Sequence, residues 1–182
     1  MMRKLGFMMA GMLLVAGSAR AAVNGPDRQL FDAVAKSVNH YAQFSIFDNV
    51  DASVKNGVVT LTGEVTMPYK RDEIAKRVAK LDGVTEVRNE LTVLPVSQFD
   101  DRLRLRVARS IYGNGNFSNY GLGANPSIHI VVANSRVTLT GVVNSDVDRR
   151  IAGDIATHLG GVMSVTNNLK TNAEAKDALE RS

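Results

Sequence analysis

The stretch Val59-Thr60-Leu61-Thr62-Gly63 occurs a second time, unchanged, as Val137-Thr138-Leu139-Thr140-Gly141, 78 residues further along the chain. At this offset, 13 of the 35 residue pairs between 57–91 and 135–169 are identical. An internal repeat of this length indicates two copies of one domain, because each copy repeats the same pattern of buried and exposed positions.

The repeat extends upstream at a different offset. Leu30 to Phe44 matches Leu103 to Phe117 at an offset of 73, so the second copy contains five additional residues between Phe117 and Ile128. The sequence therefore predicts one domain at residues 24–95 and a second at residues 97–171.

Each copy has the periodicity of helix, strand, strand, helix, strand. Leu30 begins an i, i+4, i+8 apolar pattern typical of one helical face, and apolar residues alternate with polar ones in the first two predicted strands. Asn56-Gly57 between these strands suits a two-residue hairpin turn with positive φ angles. We predict an α+β fold, with two tandem α-β-β-α-β domains. Each has a three-stranded sheet, its last strand over residues 87–93 in the first copy, and two helices packed on one face.

Several residues are predicted to set the limits of these elements. Asp27 and Thr66 are suited to capping the two helices of the first copy, since their side chains accept hydrogen bonds from a helix N-terminus. Gly83 and Gly161 follow the second helix of each copy, where glycine favours a helix end.

Four further motif residues are predicted to be structural, with ligand contact as the alternative. Gly63 and Gly141 interrupt a strand, which usually marks a bulge or a close approach of backbone. Asn89 and Asn167 are expected on the inward side of the third strand. Their amides must be hydrogen-bonded there, tying a loop or the strand beside the glycine.

Residues 1–21 have the pattern of a secretory signal peptide: Arg3 and Lys4, an apolar run, then Ala19-Arg20-Ala21, with cleavage predicted after Ala21. An uncleaved membrane anchor is the alternative. The pattern looks bacterial and favours a periplasmic location. Without this segment the formal net charge falls from +4 to +1. Such a balanced chain argues against nucleic-acid binding, which needs clustered basic residues.

The composition offers little for catalysis. The chain contains no Cys, which excludes disulfides, thiolate chemistry, Cys-ligated zinc and a lipid anchor on an N-terminal Cys. His40, His129 and His158 fit no metal-binding spacing and are expected at the surface. We therefore expect no cofactor, no metal and no enzymatic activity.

The two copies resemble the BON domain. The motif Val-Thr-Leu-Thr-Gly-x-Val, followed by Gly-Val-x-x-Val-x-Asn-x-Leu, is present at residues 59–65 and 83–91, and again at 137–143 and 161–169. The resemblance covers most of the chain after the predicted signal peptide. It implies an OsmY-like, non-enzymatic periplasmic protein connected with osmotic and envelope stress, and a domain that in some members binds phospholipid head groups.

The first helix of the second copy is rich in arginine: Arg102, Arg104, Arg106 and Arg109. Arg102, Arg106 and Arg109 are spaced i, i+4, i+7 and share one stripe, which suits an anionic membrane surface but equally a solvated face. The corresponding helix of the first copy carries Asp32 and Lys36 instead.

The insertion, residues 112–126, is rich in Gly and Asn and cannot be a regular helix or strand throughout. Phe117 aligns with Phe44 and is expected in the core, whereas Tyr120 and Leu122 are expected to project. Loops of this length are often functional or disordered. Residues 172–182 are predicted to be a polar tail.

Two functional hypotheses follow. In the first, a soluble periplasmic protein binds anionic phospholipid or another envelope component, mainly through the second copy. In the second, it docks a protein partner through the 112–126 loop or exposed strand edges, without lipid affinity. A hydrolase dependent on His129 or His158 is the weakest alternative.

Overall fold

The computed structural model describes residues 25–122 and 126–181. The predicted signal peptide and its cleavage site lie outside the described residues, as do residues 123–125 of the insertion. No helix in the described ranges combines the length and apolarity needed to cross a bilayer.

The first domain contains two helices and a small sheet. Its elements in chain order are α1 (Gly25–Asn39), β1 (Asn49–Lys55), β2 (Val58–Val65), α2 (Pro68–Val78), β3 (Glu86–Asn89) and β4 (Thr92–Val93).

The second domain repeats this order with two additions. Its elements are α3 (Gln98–Tyr112), a 3₁₀ helix (Gly115–Gly121), β5 (Ile128–Ala133), β6 (Arg136–Val143), α4 (Asp146–Thr157), β7 (Ser164–Asn167), β8 (Lys170–Thr171) and α5 (Asn172–Arg181). The predicted α+β fold of two repeated α-β-β-α-β units is confirmed.

In each sheet the long second strand is central. β1 pairs with β2 antiparallel, and β3 and β4 pair with β2 parallel on its other side. The second sheet has the same arrangement. The prediction of one continuous third strand was wrong in this detail. The strand is interrupted because Asn89 Oδ1 turns back to accept from Leu91 N at 3.3 Å.

The apolar stripes of the helices and strands form one core in each domain. In the first domain the fully or nearly buried side chains include those predicted from periodicity: Leu30, Val34, Val38, Val59, Leu61, Val65, Ile74 and Val78. In the second domain Phe117 is completely buried within the equivalent core, which confirms its predicted position.

Both hairpin turns have positive φ angles and are held by a buried carboxylate, Asp27 in the first domain and Asp100, at the turn Asn134-Ser135, in the second. The geometry at Asn56-Gly57 was predicted. Asn56 and Gly57 have φ angles of 52° and 80°. Asp27 accepts from the backbone N–H groups of these two residues at 2.9 and 3.2 Å. Asp27 was predicted to cap α1, but it lies inside the first turn of the helix and its side chain is used by the distant turn instead.

Thr66 was also predicted to be a helix cap, and this was wrong. Met67 occupies the N-cap position of α2 and makes no side-chain capping bond. Thr66 Oγ1 instead donates to Asp48 Oδ1 at 2.8 Å, because the buried carboxylate is a stronger acceptor.

Gly63 and Gly141 mark close approaches of two backbones, as predicted. Gly63 has a φ of +114°, and a Cβ there would collide with the carbonyl oxygen of Asn49. Gly141 has a φ of +109° and faces the carbonyl oxygen of Ser127 in the same way. Both positions require glycine because of φ and because of space.

Asn89 and Asn167 tie the second helix of each domain to the sheet, and not a loop or strand beside the glycine as expected. Asn89 Nδ2 donates to Arg71 O at 3.1 Å, and Asn167 Nδ2 donates to Arg149 O at 2.7 Å. Asn89 is exposed and Asn167 half-buried, so their expected inward burial was also wrong. Each asparagine is the last residue of its strand, so its side chain lies beside the second helix of the domain and bonds to a backbone carbonyl there.

The predicted polar tail, residues 172–182, contains helix α5. Thr171 and Glu174 form a capping box: Glu174 N donates to Thr171 Oγ1 at 3.3 Å, and Thr171 N donates to Glu174 Oε2 at 2.8 Å. Arg149 of α4 pairs with Glu174 at 2.8 Å and holds the helix to the domain.

Candidate functional site: the exposed face of helix α3

Helix α3 is held firmly by its inner side. Ser97 caps it by accepting from Asp100 N at 3.1 Å, and Leu103, Val107 and Ile111 are completely buried. Its outer face is therefore rigid, because the buried stripe fixes the rotation of the helix about its axis.

The outer face of α3 combines cationic and apolar side chains. Five of the exposed residues of α3 line a shallow depression of about 440 Å³: Phe99, Arg102, Leu105, Arg106 and Arg109. Phe99 and Leu105 remain 44% and 46% exposed. Two large apolar side chains beside three arginines give this face a mixed character that suits contact with an anionic, partly apolar surface.

The three arginines of the predicted stripe are unpaired. Within the part of the chain that the structure describes, no carboxylate lies within 4.0 Å of Arg102, Arg106 or Arg109. Their charges are thus available to an external anion.

Arg104 does not belong to this face. Its side chain is 7% exposed; one guanidinium nitrogen pairs with Asp101, and the other donates to Val132 O at 2.8 Å. Residue 104 follows the buried Leu103 on the side facing β5, so a role in direct contact with a ligand is excluded by burial. The i, i+4, i+7 spacing of Arg102, Arg106 and Arg109 already predicted that Arg104 lies outside their stripe.

Gly161 contributes to the candidate site by being small. Its φ is +88°, and a Cβ would lie 3.0 Å from the Phe99 ring and 3.2 Å from the Arg106 guanidinium. Both side chains therefore lie across this turn. At the equivalent Gly83, a Cβ would meet only Leu30, at 3.8 Å.

The insertion is more ordered than predicted where it is described. Tyr120 does not project: its hydroxyl donates to Asp148 Oδ2 at 2.8 Å and accepts from Asn144 N at 2.7 Å. Its ring lies 5.6 Å from that of Phe117. Burial, with the neighbouring Asp148 carboxylate, raises the pKa of Tyr120. Leu122 does project, being 75% exposed.

His129 was expected at the surface, and this was wrong. Its Nδ1 donates to the backbone oxygen of Asp48 in the first domain at 2.7 Å, and its ring lies 5.2 Å from that of Phe44. Burial lowers the pKa of His129 despite that hydrogen bond. His158 and His40 are exposed, each bonded to the carbonyl four residues earlier.

The segment 44–49 joins the two domains, which sequence reasoning missed. Ile130 N donates to Ile46 O at 2.7 Å, and Thr140 Oγ1 donates to Asn49 Oδ1 at 3.0 Å. Ile46 and Phe47 pack against the core of the second domain. The sequence feature that could have indicated this contact is the pair of large apolar residues, Ile46 and Phe47, in a predicted loop.

Beneath this joint lies a buried ion pair. Asp48 Oδ2 is 2.6 Å from Lys70 Nζ, and both side chains are almost inaccessible. Burial alone would raise the pKa of the Asp48 carboxyl, but bonds from Lys70, Thr66 and Ser45 together hold it below its usual value. The described residues contain no cluster of three or more His, Asp or Glu side chains able to hold a metal ion.

One known protein is similar to this chain over nearly its whole length. The chain is 25% identical over 192 residues to the outer membrane lipoprotein DolP of Haemophilus influenzae, covering 93% of this chain and 96% of that protein.

Among solved structures, CdsD, a structural protein of the type III secretion system of Chlamydia trachomatis, matches 81% of this chain and 97% of its own. That match has 15% identity and a TM-score of 0.28. The CdsD C-terminal domain matches 74% of this chain and 94% of its own, with 14% identity and a TM-score of 0.26. Similarity this low supports no conclusion about this chain.

The family model of the BON domain matches twice, at residues 27–95 and 100–173. These two matches contain both hairpins, both glycine bulges and both Asn-bonded strand ends described above. The chain belongs to the BON-domain family and carries two BON domains in tandem.

Proposed function

We propose that this protein is a non-enzymatic, periplasmic envelope-stress protein that binds anionic phospholipid surfaces through the outer face of α3. The observation that carries the proposal is the combination of three unpaired arginines with exposed Phe99 and Leu105 on one rigid helix face. Similarity to an outer membrane lipoprotein supports a location in the envelope.

The expected energetics favour moderate, salt-sensitive binding. Each arginine near an anionic surface contributes about 1 kcal/mol. Phe99 and Leu105 add apolar area that can enter the head-group region, since an amphipathic helix can lie in the plane of the interface. The affinity should fall as salt rises, because screening acts on exposed charges.

The test is sedimentation of the protein starting at Ala22 with anionic and neutral vesicles at low and high salt. We expect binding to anionic vesicles at low salt, and loss of binding in the triple variant Arg102→Ala, Arg106→Ala, Arg109→Ala. A matched control removes three exposed lysines of the first domain, Lys36→Ala, Lys55→Ala and Lys80→Ala.

The control separates position from net charge, because both triple variants lose the same three charges. Equal loss of binding in the two variants would contradict a specific role of α3. Absence of sedimentation of the unaltered protein at low salt would rule out direct lipid binding.

A second candidate function is docking of a protein partner through the 112–126 loop. The observation favouring it is Leu122, which is largely exposed on a segment otherwise held by Phe117 and Tyr120. Deleting the loop would remove Phe117 from the core, so the suitable variant is Leu122→Ser. Loss of a defined co-purifying partner in this variant, with vesicle binding unchanged, would favour this function.

A further inference from the structure

An asparagine followed by glycine is a site of spontaneous deamidation, which is one reason why asparagine counts among the thermolabile residues. The backbone nitrogen of the glycine attacks the side-chain amide carbon of the asparagine, ammonia leaves, and water opens the resulting succinimide to aspartate or isoaspartate. Glycine favours the attack because it has no Cβ to obstruct it. The chain has such pairs at Asn24, Asn56 and Asn114, of which Asn24 lies outside the described residues.

The pair in the first hairpin turn, Asn56-Gly57, is held away from this reaction by Asp27. Gly57 N, the attacking atom, donates to Asp27 Oδ1 at 3.2 Å, and Asn56 N donates to Asp27 Oδ2 at 2.9 Å. Gly57 N reaches its target carbon only if the peptide group turns about the Asn56 Cα–C bond, which breaks its bond to Asp27. Bonds to a charged acceptor are about twice as strong as neutral ones, so this rotation is costly.

Packing around Gly57 restricts the same rotation. Gly57 is buried, its carbonyl oxygen accepts from Thr85 N at 2.8 Å, and a Cβ on Gly57 would lie 2.8 Å from Gly83 O. Gly57 is therefore fixed through both its N–H and its C=O.

The hairpin turn of the second domain has the same protection. The turn is Asn134-Ser135, and Asp100, the counterpart of Asp27, accepts from both backbone N–H groups at 2.9 Å. Ser135 O accepts from Met163 N at 2.9 Å. In each domain one buried carboxylate thus holds the nitrogen that would attack.

The pair Asn114-Gly115, in the insertion of the second domain, has a free nitrogen. Gly115 is exposed, and a Cβ there would meet no atom within 4 Å. Among the described residues, no group accepts a hydrogen bond from Gly115 N. This nitrogen can approach the Asn114 side chain without losing a partner.

The side chain of Asn114 is also prepared for the attack. Asn114 caps the 3₁₀ helix, and its Oδ1 accepts from Asn116 N at 3.0 Å. Negative charge develops on this oxygen during the attack, so the N–H of Asn116 stabilises it as a donor in an oxyanion hole does. The rotation needed costs one neutral bond, from Phe117 N to Asn114 O at 2.9 Å.

We propose that Asn114 deamidates in the folded chain much faster than Asn56 or Asn134. Asp27 and Asp100 protect the two turn asparagines, because each holds the nitrogen that would attack. The sequence pair Asn-Gly is the same at positions 56 and 114, so the difference arises from tertiary structure.

The product adds a negative charge close to the outer face of α3. Asn114 follows Gly113, the C-cap of α3, and Arg109 lies in the last turn of that helix. A negative charge at a helix C-terminus is unfavourable. Deamidation therefore changes the electrostatics at the end of the helix that carries the arginines.

The test follows deamidation of each asparagine by peptide mass spectrometry, in the chain starting at Ala22, folded and unfolded in urea. In the unfolded chain Asn56 and Asn114 should react at similar rates, because both precede glycine. In the folded chain we expect Asn114 to react at least about tenfold faster than Asn56, since the bond to Asp27 must break first. Enzymatic methylation of isoaspartate identifies the product.

Replacement of the carboxylate tests the protection. Asp27→Ala should accelerate the reaction at Asn56 by about tenfold or more and leave the rate at Asn114 unchanged. Val34→Ala is the matched control, because it destabilises the same helix at a completely buried position, two turns from Asp27, and keeps the carboxylate. Thermal unfolding shows whether each variant is folded.

Two further variants test the second domain. Asp100→Ala should accelerate the reaction at Asn134 in the same way, and it provides the test if Asp27→Ala does not fold. Gly115→Ala has room for its Cβ and should slow the reaction at Asn114 several-fold, because the methyl group obstructs the attack.

Three results would overturn the proposal. The first is equal rates at Asn56 and Asn114 in the folded chain, and the second is no reaction at Asn114 while the unfolded chain reacts. The third is a rate at Asn56 in Asp27→Ala no higher than in Val34→Ala. A lower rate than in the unaltered chain would show that Asp27 acts as a base on Gly57 N. None of these results depends on vesicle binding.

Discussion

The two domains use different side chains to bond the same backbone N–H group, which lies just before the second helix of each domain. In the first domain, Asp48 accepts from Thr66 N at 2.7 Å and pairs with Lys70. At the repeat offset of 78, Thr66 and Lys70 correspond to Asn144 and Asp148. There the Tyr120 hydroxyl accepts from Asn144 N and donates to Asp148.

Both arrangements satisfy a backbone N–H just before the second helix and connect it to the loop that precedes the first strand. The first domain uses a buried ion pair, and the second uses a neutral hydroxyl beside a carboxylate. The two domains therefore both bond this N–H, but with different side chains.

The largest expected effect comes from breaking the ion pair of the first domain. Lys70→Ala leaves Asp48 charged, buried and unpaired, and should lower the free energy of unfolding by about 3–5 kcal/mol. Urea unfolding measures this loss. Lys76→Ala, which removes an exposed lysine paired with Glu73, is the control and should change stability little.

The corresponding change in the second domain should be smaller. Tyr120→Phe keeps the ring against Phe117 but removes the hydroxyl that joins Asn144 N to Asp148; because Asn144 is exposed to water, this should cost about 0.5–1.5 kcal/mol. The same unfolding experiment compares it with Lys70→Ala. A larger decrease in the free energy of unfolding for Tyr120→Phe than for Lys70→Ala would contradict the expectation that the buried ion pair contributes more to stability.

Acid should distinguish the two domains further. The pKa of Asp48 is lowered in the folded protein, so its contribution to stability is present above the usual carboxyl pKa of 3.8 and is lost as pH falls through the folded value. We expect first-domain amides, followed by NMR, to lose protection before those of the second domain. In Asp48→Asn this difference should disappear.

The smallest effect concerns the joint between the domains. Because burial lowers the pKa of His129, its contribution is present above the usual value of 6.5 and is lost as pH falls through the folded value. Exchange of the Ile130 amide, bonded to Ile46, should accelerate as pH falls below 6.5, relative to a His129→Gln variant. Identical pH dependence in both proteins would show that His129 does not control the joint.

Much of the outer face of α3 could be predicted because a regular helix converts sequence spacing directly into direction. Arg102, Arg106 and Arg109 lie together for this reason, and Arg104 lies elsewhere. Phe99 and Leu105 were missed as members of the face, although they have compatible spacing. The role of Gly161 could not be predicted, because it depends on the packing of α3 against the turn after α4.

The partners of isolated polar residues were harder to predict. Asp27 and Thr66 each have the side chain of a helix cap, and both are used by distant groups instead. The α5 capping box, in contrast, is encoded by Thr171 and Glu174 three residues apart, so a local reading could have found it.

The sequence by itself determined the two-domain α+β fold, because the repeat and its apolar periodicity depend only on local spacing and burial. Tertiary structure alone decided that Ile46 and Phe47 join the domains and that His129 is half-buried against the first domain. These outcomes depend on contacts between residues about 80 positions apart, such as His129 and Asp48. Local pattern carries no information about which of many possible distant partners a side chain meets.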